Sequence, residues 1–402
     1  MRQILSIADD LSGAIEAAVE LGAERSRIWL LSSHDASIPL PDLDDAVVVL
    51  DSNSRQLEPN QAELLYLHLL KSLKEKGSYA DTLIYLKIDS LVRGNVQPII
   101  SAAKTLGPVM FIPALPRLGR HTKNGAITVG GVALKETKYW KLEKVEPPES
   151  LVDFLKPVPS EVIRLQDPRA EKRDLIKALE STFARGAVAV CDAESEKDLE
   201  NLIAAAVTFP NLIIVGSSGV ASFLGVYLGR ETVAAPVLIE VTGNRKIVAF
   251  VGSGSEKSQE QLKSAETAGF PTYYVVPEEF PLQDIPLLHL LESQGVALLG
   301  IKQDSANQAQ HRELIELINE QIKDVTARAS LILTGGETAR IVLESLSTQW
   351  LRPLKSHEYG VVIAVTDLGQ LVAVKPGTFG SPNTLVGLIE ELQKIHTESS
   401  AH

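Results

Sequence analysis

The sequence predicts an α/β protein of two domains, each a mostly parallel sheet flanked by helices, with the active site in the cleft between them. Runs rich in Val, Ile and Leu alternate with helix-period segments through almost the whole chain, as doubly wound parallel sheets require. At 402 residues the chain is too long for one ordinary core, and a hydrophobic fraction of 45% can fill two. The turns leaving the strands are rich in charge in the first half and in glycine in the second, so the halves differ in chemistry as well as position.

Taken in order, strands are expected at 4–8, 46–51, 83–88, 109–113, 161–165, 187–192 and 212–216, with helices such as 60–76 and 168–185 between them. The segments KLEKVEPPES at 141–150 and KPVPS at 156–160 are rich in Pro and charge and read as a surface excursion. The junction is expected around 230–246, which divides a first domain, 1–235, from a second, 245–402. The second domain repeats one device at 248–262, 331–346 and 371–392: strand, Gly-rich turn, helix. No internal repeat or low-complexity tract is present.

Charge and cysteine content narrow the function classes. A net charge of −12 and a pI near 5.3 repel a phosphate backbone, and no basic patch with interleaved aromatics offsets them, so nucleic acid is excluded as a partner. Cys191 is the single cysteine, which excludes an intrachain disulfide and any multi-cysteine metal site. No leader precedes the first strand and no run approaches the ~20 apolar residues of a membrane span, so a cytoplasmic location is expected.

The first-half strand ends carry the chemistry. ILSIADDLSGAIEAAVELG at 4–22 runs from an apolar strand through Asp9 and Asp10 into an amphipathic helix. Either aspartate alone is well explained as a helix cap, with Gly13 easing the first turn. The arrangement recurs, however. AVVVLDSNSR closes with Arg55, TLIYLKIDSLVRGN places Lys87, Asp89, Ser90, Arg93 and Asn95 around a third strand end, and VMFIPALPRLGRHTKNG enters a loop with Arg117, Arg120, His121 and Lys123. Aspartates accept from hydroxyls and arginine grips a carboxylate bidentately, so the mixture suits a small polyhydroxy acid. A solvated salt-bridge cluster is the plainer reading of the same residues.

In the second half, glycine lets backbone amides approach an anion, and the helix start that follows adds unpaired N–H groups and a positive dipole end. Three such turns favour a phosphate-rich ligand, with Ser253 and Ser255 as donors, Glu337 as a group that orients a magnesium-bound water, and Lys375 as a neutralising charge. Each also has a local explanation as a cap, a dipole partner or a solvated lysine. A Walker A loop is absent, GSGSEK misses the third glycine of the dinucleotide fingerprint, and HExxH, paired CxxC and G-x-S-x-G are not found.

Seven elements, IADDLSGA, KIDS with RGN, PALPRLGRHT, GVALKET, GSGS, TGGETA and KPGTFG, together resemble the four-carbon acid sugar kinase family in order and spacing over nearly the whole chain. The resemblance implies an N-terminal sugar-acid domain, a C-terminal nucleotide domain, ATP and Mg2+ as cofactors, and phosphorylation of threonate, erythronate or 3-oxo-tetronate. Matched residue by residue, it implies substrate contacts from Asp10, Arg55, Lys87, Asp89, Arg93 and the loop holding Arg117 and Arg120, to which Asp9 and Ser90 are added as neighbours. It implies an ATP site from Ser255, Gly335, Gly336, Glu337, Thr338 and Gly377, flanked by Ser253 and Gly380. Asp89 and Asp10 are the two candidates for orienting or deprotonating the attacking hydroxyl, and Arg93 is the candidate fork for the substrate carboxylate. Metal ligands are not assigned, and self-association is left open.

Three departures from the family pattern bear on the substrate: Leu91 stands where a threonine is common, AITVG at 126–130 is small and apolar, and Pro376 removes an N–H. Two other classes remain. A non-catalytic binding protein closing on a sugar acid leaves the three glycine turns unexplained, and a nicotinamide-dependent oxidoreductase requires the full fingerprint that is missing.

Overall fold

The computed structural model describes residues 3–22, 26–31, 47–75, 82–140, 145–165, 172–227, 229, 245–277, 285–302 and 308–399. The junction stretch 230–244 and the start of the helix expected at 168–185 lie outside the described residues. The chain forms two compact units, Met1–Ser26 with Ser33–Val233, and Arg27–Ser32 with Ala234–His402.

The elements run β1 (Gln3–Ala8), α1 (Leu11–Gly22), β2 (Ser26–Leu30), β3 (Val47–Asp51), α2 (Pro59–Glu75), β4 (Thr82–Lys87), α3 (Val96–Lys104), β5 (Val109–Ile112), β6 (Arg120–Lys123), β7 (Ala126–Val129), β8 (Val132–Ala133), α4 (Leu151–Phe154), β9 (Ser160–Ile163), α5 (Lys172–Ala184), β10 (Val188–Cys191), α6 (Glu196–Ala206), β11 (Ile213–Gly216) and α7 (Ser218–Tyr227). In the first unit the strands order as β3-β1-β4-β11-β5-β10-β9, every neighbouring pair parallel. Helices cover both faces, which is why β3 and β4 read as unbroken apolar runs instead of alternating ones. The chain leaves β1 for β3 on one side and then crosses to β4 on the other, so the carboxyl end of β1 is a topological switch point. Register sets the three ends level: Ala8 pairs with Asp51 and with Lys87.

The stretch read as a basic loop is largely a small antiparallel sheet, β6-β7-β8. Asn124 and Gly125 turn the first hairpin with φ of 51° and 71°, the doubly left-handed turn that Asn-Gly favours, and Asp192 accepts from both their amides. A short 3-10 turn, Pro116–Leu118, holds Arg117, and Arg120 opens β6.

The second unit continues with β12 (Ile247–Val251), α8 (Glu256–Thr267), β13 (Thr272–Val275), α9 (Leu287–Gln294), β14 (Val296–Ile301), α10 (Gln308–Thr326), β15 (Ser330–Thr334), α11 (Gly336–Ser345), β16 (Trp350–Glu358), β17 (Val361–Thr366), β18 (Leu371–Lys375) and α12 (Thr384–Ser399). Strands β13-β14-β12-β15-β18 are parallel, and β17, β16 and β2 extend them antiparallel. Thus β2, though early in the chain, pairs Trp29 with Trp350 in the second unit, where Arg27 stacks 4.9 Å from the Trp350 ring centre. Val251 pairs with Thr334, and Thr334 with Lys375, so the three glycine turns leave the sheet at one level.

Candidate active site

Three aspartates meet at the carboxyl ends of β1 and β4, and each has a different environment. Asp10 caps α1, accepting from the Gly13 amide at 2.6 Å, and its other oxygen pairs with Arg55 at 2.7 Å. Asp10 therefore caps the helix, as its position there suggests, while its second oxygen joins the charged groups at this strand end. Burial disfavours its charge, yet Arg55, Lys87 and the Gly13 amide outweigh burial and keep it below the ordinary carboxylate range. Asp89 accepts a two-pronged fork from Arg93, 2.8 Å at each oxygen, and a backbone N–H from Leu91 at 3.1 Å. Burial opposes its ionisation too, but those bonds and the nearby Arg55 hold it far below the usual range.

Asp9 is the exception. It is buried, and neither carboxylate oxygen has a hydrogen-bond partner among the described residues. Burial, reinforced by Asp10, pushes it up to about 7 against the pull of Arg55 and Lys87. Gly94, with φ of 81°, packs over it: a Cβ there would lie 3.5 Å from Asp9 Oδ2 and 3.0 Å from Arg55 Cγ. Glycine permits that backbone angle and lets the loop pack against the buried carboxylate without a side chain between them.

Backbone bonds brace the surrounding loops. The Ser54 and Arg55 amides donate to the Asp9 carbonyl, and Asn95 donates its side-chain amide to Ser54 and Leu57 carbonyls, tying the loop after β3 to the loop after β4. Asn95 is thus a positioning residue whose buried amide supports the site from behind.

The remaining first-half residues separate. Lys87 is buried, pairs with Glu16 at 3.4 Å, and stands 3.2 Å from the point where a Gly13 Cβ would lie, which brings it to the Asp10 cap. Burial works against its charge, but Glu16, Asp10, Asp9 and Asp89 raise its proton affinity above the ordinary value. Ser90 accepts from Arg120. Arg120 makes no ion pair with any described carboxylate within reach of a salt bridge, whereas Arg55 and Arg93 both do. Arg117 turns toward α1 and α7, pairing with Glu20 at 3.2 Å and reaching the Ser218 carbonyl. Lys123 forms an exposed pair with Glu194.

In the second unit the three turns converge through their glycines. A Cβ on Gly252 would strike Thr338 Oγ1, one on Gly377 would strike Ser253 Oγ, and Gly335, at φ 101°, lies 3.5 Å from Ser253 by the same construction. Ser255 caps α8 and also donates to the Gly377 carbonyl at 2.7 Å, so it locks two turns together. Gly336 opens α11, with Glu337 and Thr338 in its first turn. Glu337 pairs with Arg312 at 3.2 Å. Gly380 packs on Thr384 and Gln261 instead of on Ser253. Lys375 is fully buried at the end of β18, donating to the Pro376 carbonyl at 3.0 Å, and burial lowers it to about 7 despite Glu358. Backbone groups and hydroxyls gathered in this way, with little fixed charge, are of the kind that can donate to an anion.

A model of a sugar-binding N-terminal domain matches residues 4–224, more than half of the chain, and a model of a nucleotide-binding C-terminal domain matches residues 294–385. A D-threonate kinase of Cupriavidus necator is 29% identical, over 95% of this chain and 96% of that protein. The chain belongs to the four-carbon acid sugar kinase family. Other relatives of this family member include a Salmonella typhimurium D-threonate kinase, 26% identical over 98% of this chain and 99% of its own. A Haemophilus influenzae 3-oxo-tetronate kinase is 25% identical over 93% and 96%. Among solved structures, a Salmonella typhimurium protein described as a tRNA synthase superposes with a TM-score of 0.78, covering 98% of this chain and 99% of its own. A Haemophilus influenzae protein gives 0.71, covering 97% and 99%. At 21% identity both show the fold of this acid sugar kinase and nothing finer. The nucleotide-domain match holds the β15 and β18 turns, while Ser253 and Ser255 fall before it and touch it through Gly377. No helix among the described residues is long and apolar enough to cross a membrane.

Proposed function

We propose that the protein transfers the γ-phosphoryl group of ATP to a hydroxyl of a four-carbon sugar acid: threonate, erythronate or 3-oxo-tetronate. The observation that carries this reading is the level edge of β1, β3 and β4, where three carboxylates alternate with Arg55, Lys87 and Arg93 inside the sugar-binding match. Asp9 and Asp10 face the acceptor's hydroxyls, and Arg55 and Lys87 balance the charge around them. Arg120, which makes no salt bridge among the described residues although its charge also acts on Asp89, is the freer grip for the substrate carboxylate, because Arg93 already spends its fork on Asp89.

The glycine turns fit a triphosphate. Gly252, Gly335 and Gly377 let backbone approach backbone, and Ser253, Ser255 and Thr338 stand ready to donate hydroxyls. Bound ATP with Mg2+ supplies the phosphoryl group and the charge neutralisation that phosphoryl transfer requires. Mg2+ in such a reaction would be held mainly by phosphates and water, and Glu337, in the first turn after the Gly335 turn, is the carboxylate that could orient one of those waters. The work left to the chain is positioning, exclusion of water and proton removal.

The test is ADP formation with a panel of four-carbon sugar acids. Turnover with at least one of the three named acids is expected. Tight sugar-acid binding with no ADP release from any of them would replace the kinase with a binding protein.

A further inference from the structure

Resting on the kinase reading, we infer that Asp9, the carboxylate left unpaired between two arginine-held aspartates, takes the proton of the attacking hydroxyl. The sequence points to Asp10 and Asp89 for that task, and geometry disfavours both. Asp10 spends its oxygens on the Gly13 amide and Arg55, and Asp89 spends its own on the Arg93 fork and the Leu91 amide. A carboxylate so stabilised binds a proton weakly, and proton transfer to it has little driving force near neutral pH.

Asp9 has the opposite properties. A buried carboxylate kept for structure is expected to be hydrogen-bonded, whereas both oxygens of Asp9 lack a partner among the described residues. The charged and titratable groups around it are Asp10 from its own strand end, Arg55 from the loop after β3, Lys87 and Asp89 from β4 and its loop, and Tyr66 from α2. Their balance, together with burial, leaves its proton affinity near neutrality. Gly94 packs against buried Oδ2 with backbone alone, so no side chain has to leave for a hydroxyl to reach it from that side. In the step, the acceptor oxygen forms a bond to the γ-phosphorus as the bond to the β–γ bridging oxygen breaks. ADP leaves with that electron pair, and the hydroxyl proton passes to Asp9. Asp10 and Asp89 stay ionised and act as positioning residues through Arg55 and Arg93.

The decisive variant is Asp9→Asn, compared with Asp10→Asn and Asp89→Asn in the full chain. Asp9→Asn is expected to lower kcat by about 10² to 10⁴, the range of a general base, with KM for ATP within a few-fold. Calorimetry should still detect sugar-acid binding. In the wild type, kcat/KM should fall as pH drops through about 7, the value burial imposes on Asp9, and this limb should persist in the slower Asp10 and Asp89 variants. Asp9→Asn turnover within threefold of wild type, or a wild-type profile flat from pH 6 to 8, would overturn the assignment. If Asp9→Asn does not fold, the limb in the other two variants decides, and its loss in Asp89→Asn alone would return the role to Asp89. A wild type that binds sugar acids but never releases ADP fails earlier, at the kinase reading itself.

Discussion

Asp9 in the first unit and Lys375 in the second are buried groups of opposite charge that burial drives toward the same value, about 7. Their settings differ. Around Asp9 the first unit pairs its charges, Asp10 with Arg55, Asp89 with Arg93 and Lys87 with Glu16, leaving one acid over. Around Lys375 the second unit uses few charges: a carbonyl, hydroxyls, glycine turns and Glu358. A site for a polyhydroxy acid needs fixed acceptors and donors of both signs, which ion pairs hold in place. A site for a polyanion needs room, amide dipoles and a positive charge that can be gained when the ligand arrives.

The largest effects that sharpen this contrast are on stability, with opposite pH dependence. The folded state raises the proton affinity of Asp9 from 3.8 to about 7, so it holds more protons than the unfolded chain between those values. The resulting strain is absent below pH 3.8 and complete above about 7. Lys375 falls from 10.5 to about 7, so its strain is complete below about 7 and gone above 10.5. Asp9→Asn should therefore stabilise the fold at pH 8 but not at pH 4, and Lys375→Met should stabilise it at pH 6 but not at pH 10.5, each by on the order of 2–4 kcal/mol and seen as a higher melting temperature. Melts that shift equally at both ends of the pH range would show that burial displaces neither group's proton affinity. For Asp9 the expected gain in stability comes with the expected loss of turnover, the trade common at strained catalytic groups.

Breaking an ion pair should do the reverse. Asp89→Asn leaves Arg93 without its carboxylate and should cost about 2–3 kcal/mol at pH 7, below the 3–5 of a fully buried pair because Arg93 is partly exposed. Urea unfolding reads this directly, and a stabilised Asp89→Asn would mean that Asp89, like Asp9, is a strained acid. On the other side, Gly377→Ala drives a methyl into Ser253 Oγ and should raise KM for ATP about tenfold, roughly 1.4 kcal/mol, without changing sugar-acid binding. An unchanged ATP affinity would remove the Gly377 turn from the proposed ATP site.

The parallel strands of both units were legible because burial on two faces writes them as unbroken apolar runs, as in VVVLD and SLILT. The antiparallel parts were less so. The Asn124-Gly125 pair is a strong hairpin signal, and it lay inside a stretch read for its basic residues. That β2 pairs with β16 depends on contacts more than 300 residues apart, which no local pattern encodes. The candidate site followed the same division. Which residues gather at the edge was readable from four strand ends, but how they pair was not. Asp9 and Asp10 are adjacent in sequence, and alternation at a strand end sends one inward and the other to Arg55, a difference that only register and the Gly94 loop determine. The Asp89 and Arg93 spacing of four was a hint of their pairing, which a reading centred on substrate contacts passed over.

The smallest expected effect is a fraction of a proton, and it tests whether Lys375 serves the nucleotide. Burial lowers the proton affinity of Lys375 to about 7, so near pH 7.5 it has a proton to gain, and Glu358 is the charged group that favours keeping one. Phosphates placed on the Gly377 turn would bring negative charge close to Nζ, raise its proton affinity and draw a proton from solvent. ADP binding measured by calorimetry in two buffers of different ionisation enthalpy should then give different apparent enthalpies at pH 7.5. The difference should shrink at pH 6, where Lys375 is already charged. Phosphate groups titrate near about 6 themselves, so the contribution of Lys375 is the part that disappears in Lys375→Met. Equal enthalpies in both buffers for the wild type at pH 7.5, with ADP clearly bound, would leave Lys375 a strand-end group with no part in reading the phosphates. The contrast with Asp9 would then rest on the first unit alone.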